Sequence, residues 1–244
     1  MEIKDTIHRF SRKLGYDFRR YTPENFPSLK RVKIIKSENI NLALDIGASE
    51  GFYGIELREC GYTGRIISFE PLAQSYESLK IRCSKDKKWD CFNVALGDVK
   101  KEVEMSVSGH VTSSSLLPMT EAHISAMPPS ATISKERIVL RTLDSFLGSE
   151  IKHEERIYMK IDVQGFEMLV LKGAEKILNQ VVALELELSL AQLYQGGPLF
   201  IDMLKYMEEL GFMVVSLNHV FSDAKTDQLL QVDGIFKRKA FKIV

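Results

Sequence analysis

LALDIGASEGFYGIELRECGYTGRIISFEP, residues 42–71, is the stretch of sequence that decides the fold. An apolar run, residues 41–46, enters a glycine-containing loop, and a helical pattern follows the loop. A second apolar run, residues 65–69, ends at Glu70. The succession of strand, glycine turn, helix and strand is typical of the first half of a doubly wound α/β sheet.

The glycines of this loop predict a cofactor that contains a nucleoside. Gly47, Gly51 and Gly54 have no Cβ, so the backbone can adopt φ > 0 and lie close to a ligand. Ligands of doubly wound sheets bind beyond the carboxyl ends of the strands, and an acid about twenty residues after the glycines accepts hydrogen bonds from the ribose. Glu70 has that position. The glycine spacing does not fit G-x-G-x-x-G, which disfavours a dinucleotide.

Short motifs along the chain resemble the FkbM family of class I, S-adenosylmethionine-dependent methyltransferases. In the opening stretch they are DIGA at 45–48, GFY at 51–53 and SFEP at 68–71. They continue with ALGD at 95–98, SSSL at 113–116, TLD at 142–144, KIDVQGFE at 160–167, LKGA at 171–174 and DGIF at 233–236. The resemblance therefore covers residues 39–239 in order.

The resemblance implies an α/β, Rossmann-like methyltransferase fold, with a seven-stranded, mostly parallel sheet in the order 3-2-1-4-5-7-6, strand 7 antiparallel and helices on both faces. It implies S-adenosyl-L-methionine as cofactor and O-methylation of a hydroxyl on a sugar, glycan or natural product. Ser49 replaces the Asn that is frequent in the glycine loop of that family, and Gln164 stands where the family has Glu or Gln. Together with the glycine loop, the resemblance places twelve residues at the cofactor. They are Asp45, Gly47, Ala48, Ser49, Gly51, Tyr53, Glu70, Pro71, Asn93, Val94, Ala95 and Asp162.

Two predicted central strands carry charges that buried parallel strands normally lack. Lys160 and Asp162 share one face of the first strand, and Glu185 and Glu187 share one face of the second. Isolated buried charges are costly, so we expect an ion pair between Lys160 and one of these glutamates. Asp162 lies at the carboxyl end of its strand, where it faces the crevice.

The hydroxyl that receives the methyl group must lose its proton. Because alkyl hydroxyls are weakly acidic, we expect a general base or a metal ion to assist this step. Asp162 is the first candidate for a general base, Glu187 the second and His123 the third. A divalent metal ion is the alternative source of this help, with the same three residues as candidate ligands in the same order, although no set of metal ligands is recognisable.

Residues 106–135 form an insertion whose composition differs from its surroundings. Between positions 106 and 134 there are eight serines and three prolines. Such a stretch is typical of a mobile loop, and beside a reactive centre it would serve as a lid. His123 belongs to this insertion.

Charge and length set further expectations. The chain has 244 residues, with 33 Lys or Arg and 33 Asp or Glu, so no global field attracts nucleic acid or an anionic membrane. Residues 1–38, however, carry ten basic and five acidic side chains, and Ile3, Ile7, Phe10 and Leu14 recur there at helical spacing. We predict a basic N-terminal helical extension, residues 1–38, that docks on a methyltransferase domain, residues 39–244. The basic stretch is interpreted as a solvated surface or as a binding site for an acidic substrate.

The number of cysteines and the length of the apolar runs indicate the cellular compartment. Cys60, Cys83 and Cys91 are an odd number without metal-ligand spacing, and we expect free thiols. No apolar run reaches the length of a signal peptide or a membrane span. We therefore expect a cytoplasmic enzyme with a small-molecule or glycan acceptor and no nucleic-acid partner; the oligomeric state is left open.

Hydrophobic periodicity predicts the remaining elements. Strands are expected at 89–96, 101–107, 136–143, 156–162, 181–188, 212–217 and 231–238, and helices at 71–83, 166–179 and 198–210. Three alternatives in function stay open at this stage. They are a nicotinamide-dependent oxidoreductase, a cofactor-binding subunit without catalysis, and methylation of an amine in place of a hydroxyl.

Overall fold

A seven-stranded sheet forms the centre of the computed structural model, which describes residues 2–18 and 20–239. Across the sheet the strands are β3 (Trp89–Phe92), β2 (Arg65–Phe69), β1 (Leu42–Ile46), β7 (Ile157–Ile161), β8 (Val181–Ser189), β10 (Leu229–Arg238) and β9 (Phe212–Ser222). β10 is antiparallel to both neighbours, and the other pairs are parallel. Counted within this sheet alone, the order is 3-2-1-4-5-7-6 with an antiparallel strand 7. The predicted fold is therefore confirmed.

A second, three-stranded sheet lies beside the first. It consists of β4 (Ala95–Leu96), β5 (Lys101–Ser108) and β6 (Thr132–Arg141), in the order β4-β6-β5. The predicted strand at 89–96 is wrong as a single strand, because the chain leaves the main sheet after Phe92. Asn93 causes this break, since its amide donates to the carbonyl oxygens of Glu70 and Pro71 at 2.9 and 2.8 Å.

Eight α-helices accompany the sheets within the described residues. They are α1 (Glu2–Lys13), α2 (Pro27–Ser37), α3 (Phe52–Glu59), α4 (Ala73–Cys83), α5 (Glu121–Ala126), α6 (Leu143–Leu147), α7 (Glu167–Lys172) and α8 (Phe200–Glu209). The predicted helix at 166–179 is divided into α7 and a 3₁₀ turn, Ile177–Gln180. Asp144 starts that turn by accepting hydrogen bonds from the N–H groups of Lys176 and Ile177.

The two faces of the main sheet differ in chemistry. Side chains alternate along each strand, so Leu44, Met159 and Leu186 join one apolar core under α7 and α8. The opposite face is covered by α2, α3 and α4 through an apolar cluster that includes Ile34, Leu57 and Leu79. This second face also carries the polar side chains of the strands, among them Asp45 and Glu185.

Glu185 is paired with Arg31 of α2, which corrects the expected ion pair with Lys160. Arg31 Nε and Nη2 both donate to the Glu185 carboxylate at 2.8 Å, and both residues are buried. Lys160 and Glu185 are register partners on neighbouring strands. The Lys160 ammonium nevertheless reaches along its own strand to Asp162 Oδ2, at 2.9 Å. The partner from α2 is distant in sequence, and strand periodicity contains no information about it.

α1 forms as a helix at the predicted place, but two of the apolar side chains expected to dock it are exposed to solvent. Phe10 and Leu14 are 66% and 60% exposed. The side chains of Ile3 and Ile7 lie outside the described part of the chain. α2 contributes buried Ile34 and Ile35 to the core, and the division of the chain at residue 38 stays a prediction.

The serine-rich insertion contains regular secondary structure, which its composition did not predict. It contains two 3₁₀ turns, Val111–Ser113 and Pro128–Ser130, with α5 between them. Several of its serines are buried and act as internal hydrogen-bond donors. Ser108 Oγ donates to the Ser130 carbonyl oxygen, and Ser115 Oγ donates to the carbonyl oxygen of Gln164, both at 2.7 Å.

The described residues contain three free cysteines and no helix that is both long and apolar enough to cross a bilayer.

Candidate active site

A cavity lies at the carboxyl ends of β1, β2, β3 and β7, where ligands of doubly wound sheets bind. Gly47, Glu70, Val94 and Asp162, which follow those four strands, all line it. The remaining wall consists of Ile46, Ser49, Phe69, Pro71, Leu72, Ser75, Ala95, Leu96, Met105, Val111, Thr112, Ser114, Leu116, Val163, Gln164 and Phe166.

The glycine loop forms the floor of the cavity. Gly47 has φ +81°, and a Cβ built on it would lie 1.9 Å from the carbonyl oxygen of Asp162. Only glycine therefore allows β1 and β7 to approach this closely at their ends. The N–H groups of Gly47 and Ala48 both donate to the Phe69 carbonyl oxygen, which fixes the loop to β2. Ser49 has φ +47°, a conformation that Asn tolerates better than Ser.

Glu70 is held on the cavity wall by two backbone groups. One carboxylate oxygen accepts from Ser49 N–H at 2.8 Å, and the other accepts from Leu72 N–H at 2.9 Å. Burial raises the pKa of Glu70 to about 7, against the opposing effect of these two hydrogen bonds. Each carboxylate oxygen has two acceptor positions, so the carboxylate can still accept two further donors.

Apolar side chains from both sheets form the opposite part of the cavity. Phe69, Val94 and Leu96 belong to the core around the main sheet, and Met105 and Phe166 belong to the cluster around the small sheet. The serine-rich insertion adds Val111, Thr112, Ser114 and Leu116 to the wall. A flat, apolar ring system fits such a wall.

A polar network links the ends of β7 and β8. Gln164 Nε2 donates to Asp162 Oδ1 at 2.8 Å and to Glu187 Oε2 at 2.7 Å. Its Oε1 accepts from the Tyr194 hydroxyl at 2.6 Å, which fixes the orientation of the amide. Gln231 Nε2 also donates to Glu187 Oε2, at 2.7 Å. One neutral side chain therefore bridges two carboxylates.

The carboxyl groups near this network differ in acidity. Burial, together with the neighbouring Asp162, Glu167 and Asp233, raises the pKa of Glu187 well above its usual range. Burial likewise raises the pKa of Glu167 and of Asp233 to about 7 each. Asp162, which bridges this network and the cavity, forms an ion pair with the Lys160 ammonium at 2.9 Å.

Comparison with known proteins decides the family. A family model described as Methyltransferase FkbM domain matches residues 45–214, which is more than half of the chain. The chain belongs to the FkbM methyltransferase family. The match spans the glycine loop, Glu70 and, apart from Gln231, the polar network of this FkbM domain.

A solved structure supports the fold of this FkbM domain. The methyltransferase FkbM from Methylobacillus flagellatus KT has 16% identity and a TM-score of 0.51, over 80% of this chain and 43% of that chain. The FkbM chain described here thus spans less than half the length of that neighbour. An rRNA methylase from Streptococcus thermophilus has 11% identity and a TM-score of 0.47, over 88% of this chain and 98% of its own. A search of curated proteins gives no significant match.

The predicted cofactor residues of the FkbM domain fall into two groups. Gly47, Ser49, Glu70, Pro71, Val94, Ala95 and Asp162 line the cavity, whereas Asp45, Ala48, Gly51, Tyr53 and Asn93 do not. Tyr53 packs against Arg31 instead, with the guanidinium 4.5 Å from the ring centroid. Gly51 begins α3 with φ +89°. Asn93 supports the wall indirectly by fixing the backbone of Glu70 and Pro71.

Asp45 lies buried beneath the glycine loop. Its Oδ2 accepts from Ser68 Oγ at 3.1 Å, while its Oδ1 has no hydrogen-bond partner among the described residues. Burial raises the pKa of Asp45 to about 6.

The three predicted catalytic residues are not all brought together. Asp162 lines the cavity, and Glu187 lies one amide group away from it. His123 is buried between Tyr194 and Phe221, with ring centroids 5.2 and 5.8 Å away, and it does not line the cavity. Burial lowers the pKa of His123 to about 4, so its ring is neutral at physiological pH. We therefore leave His123 out of the proposed chemistry.

Sequence reasoning gave no role to Gln164 or Tyr194 and missed most of the cavity wall. Gln164 lies inside a quoted motif, KIDVQGFE, and Ser114 and Leu116 lie inside another, SSSL. Those motifs were the only available signal, because the contacts among these residues join distant parts of the chain. Within residues 2–18 and 20–239, no group of three or more His, Cys, Asp or Glu side chains has the arrangement of a metal site.

Proposed function

We propose that the protein transfers the methyl group of S-adenosyl-L-methionine to a hydroxyl of a sugar, glycan or natural product. The observation that carries this proposal is the position of the Glu70 carboxylate. It is fixed on the wall of the cavity by Ser49 and Leu72, beside the Gly47 loop, with acceptor positions to spare. Ribose hydroxyls are the donors that such a carboxylate binds in this class of fold.

The residues present fit an adenosyl cofactor. Gly47 provides the close backbone approach, Glu70 accepts from the ribose hydroxyls, and Val94 and Ala95 flank the adenine together with Leu116. The unpartnered buried oxygen of Asp45 lies outside the cavity wall, and we assign it no contact with the cofactor. When bound, S-adenosylmethionine supplies an activated methyl group that an in-line nucleophile can take directly.

Positioning is the main task that remains for the protein. Alignment of two reactants contributes on the order of 7 to 11 kcal/mol, whereas a general base contributes a factor of about 10² to 10⁴. Asp162 is assigned the acceptance of a hydrogen bond from the acceptor hydroxyl, because Asp162 lines the cavity and Glu187, the other candidate base, does not. Asp162 is also assigned the proton that the hydroxyl loses, and it is held in place by the Lys160 ammonium and the Gln164 amide. Glu187 supports Asp162 through the same amide.

Calorimetry with S-adenosylhomocysteine tests the cofactor, and NAD in the same assay tests the oxidoreductase alternative. Binding of S-adenosylhomocysteine and not of NAD is expected. The opposite preference would overturn the proposal. Incubation of the protein and S-adenosylmethionine with a panel of sugar nucleotides, glycans and hydroxylated natural products, followed by detection of released S-adenosylhomocysteine, then tests the acceptor class. A panel of amines run in parallel distinguishes O-methylation from N-methylation.

A further inference from the structure

The segment from residue 9 to residue 21 carries an apolar surface that the methyl-transfer site does not use. Phe10, Leu14, Tyr16, Phe18 and Tyr21 are 66%, 60%, 68%, 60% and 65% exposed, respectively. The other large exposed apolar side chains of the described residues are spread between Phe52 and Val220. Large apolar side chains that cluster on a surface in this way mark an interaction site, whereas scattered ones do not.

The end of α1 and the turn after it bring these side chains together. Tyr16 N–H donates to the Ser11 carbonyl oxygen at 2.9 Å, which folds the chain back after the helix. Phe10, Leu14, Tyr16 and Phe18 thereby line one shallow apolar hollow. Tyr21 lies outside this hollow and packs against Phe26, with the ring centroids 4.8 Å apart.

The same segment is strongly basic in a protein that is neutral as a whole. Residues 9–21 carry five Lys or Arg and one Asp, a net charge of +4, whereas the whole chain has 33 residues of each sign. Arg9, Lys13 and Arg20 are exposed beside the apolar side chains. Arg12 pairs with Asp17 at 3.3 Å.

We propose that residues 9–21 dock the protein on the surface of an anionic phospholipid bilayer. Basic side chains around exposed Phe, Leu and Tyr are the composition of interfacial helices, whose apolar face enters the headgroup region. Lys and Arg attract anionic headgroups, and Tyr is favoured at the membrane interface. A second copy of the chain is a poorer occupant, because two such patches would bring charges of the same sign together.

Vesicle co-sedimentation of the full chain tests this docking. Binding is expected to vesicles of phosphatidylcholine mixed with phosphatidylglycerol, not to phosphatidylcholine alone, and is expected to weaken at high salt. The double variant Arg9→Glu/Lys13→Glu should partition at least about 30-fold more weakly, since each basic side chain near the surface contributes about a factor of 5. The affinity of Phe10→Ser/Phe18→Ser for these vesicles should fall at least about 10-fold, because this variant buries less apolar area in the bilayer.

Matched variants elsewhere on the surface give the control. Ile81→Ser/Ile133→Ser removes two apolar side chains that are 61% and 71% exposed, and Lys85→Glu/Lys87→Glu makes the same change of charge at exposed positions. Both should bind vesicles like the wild type, and circular dichroism verifies that every variant is folded. Equal binding by wild type and patch variants, or no binding by the wild type, would overturn the proposal. Self-association without lipid that is lost in Phe10→Ser/Phe18→Ser would assign the surface to a second copy instead.

Discussion

Replacing Gln164 by glutamate tests how two carboxylates are held side by side at the ends of β7 and β8. In the wild type, the Gln164 amide donates to Asp162 at 2.8 Å and to Glu187 at 2.7 Å. In Gln164→Glu, three carboxyl groups would meet at these distances. Two unit charges at about 2.7 Å repel by roughly 6 kcal/mol at an effective dielectric constant of about 20. Keeping the new carboxyl protonated at pH 7 costs only about 4 kcal/mol, so the new group should remain protonated.

The sign of the resulting pH dependence follows from this raised pKa. The folded variant holds a proton that the unfolded chain releases above about pH 4.3, so the variant is relatively most stable in acid. Relative to wild type, its free energy of unfolding should fall by about 1.4 kcal/mol for each pH unit above that value. Between pH 5 and 7 the difference is about 3 kcal/mol, or roughly 5 to 11 °C in Tm for a chain of this size.

Thermal unfolding at a series of pH values measures this slope as the difference in Tm between variant and wild type. Gln74→Glu, an exposed change of the same charge on α4, is the matched control and should show no added slope. Calcium or magnesium should raise the Tm of Gln164→Glu only, because three carboxylates suit a hard cation. A Gln164→Glu curve parallel to that of the wild type would refute the bridging role of the amide.

Further predictions concern the cofactor wall and the buried ion pair. Glu70→Ala should weaken S-adenosylhomocysteine binding in calorimetry by about 1.5 to 3 kcal/mol, roughly 10- to 150-fold, while Glu136→Ala, outside the cavity wall, should not. Wild-type affinity should rise with pH through about 7, because the ionised Glu70 is the better acceptor, and this dependence should vanish in Glu70→Ala. Arg31→Ala removes the ion-pair partner of the buried Glu185 carboxylate, so chemical denaturation should show a free energy of unfolding that is lower by about 3 to 5 kcal/mol. A decrease below about 1 kcal/mol would contradict the pairing. Gly47→Ala should abolish binding or folding, since its Cβ would lie 1.9 Å from the Asp162 carbonyl oxygen, and unchanged calorimetry would exclude the tight approach.

The sequence and its resemblance to the FkbM family were sufficient to predict the strand order of the main sheet and the residues at the centre of the site. Parallel strands place the residues after them at one edge, so Gly47, Glu70 and Asp162 could be expected in one crevice without knowledge of the packing. Period-two alternation likewise located the buried charges on one face. These are local rules, and a single chain contains everything that they need.

Contacts between distant segments could not be predicted in the same way. Arg31 captures Glu185 from a helix 154 positions earlier, and Lys160 consequently pairs along its own strand. The burial of His123 depends on Tyr194 and Phe221, which come from other elements. Composition was also misleading for the insertion, because serines that suggest an open loop serve here as internal donors.

A crystal structure of the protein with S-adenosylhomocysteine tests the central claim most directly. The ribose hydroxyls should lie within hydrogen-bonding distance of the Glu70 carboxylate, with the adenine between Val94, Ala95 and Leu116 and the homocysteine sulfur directed toward Asp162. A ligand bound away from Glu70, or a cavity that stays filled by its own side chains while the ligand binds elsewhere, would contradict the proposed methyl-transfer site.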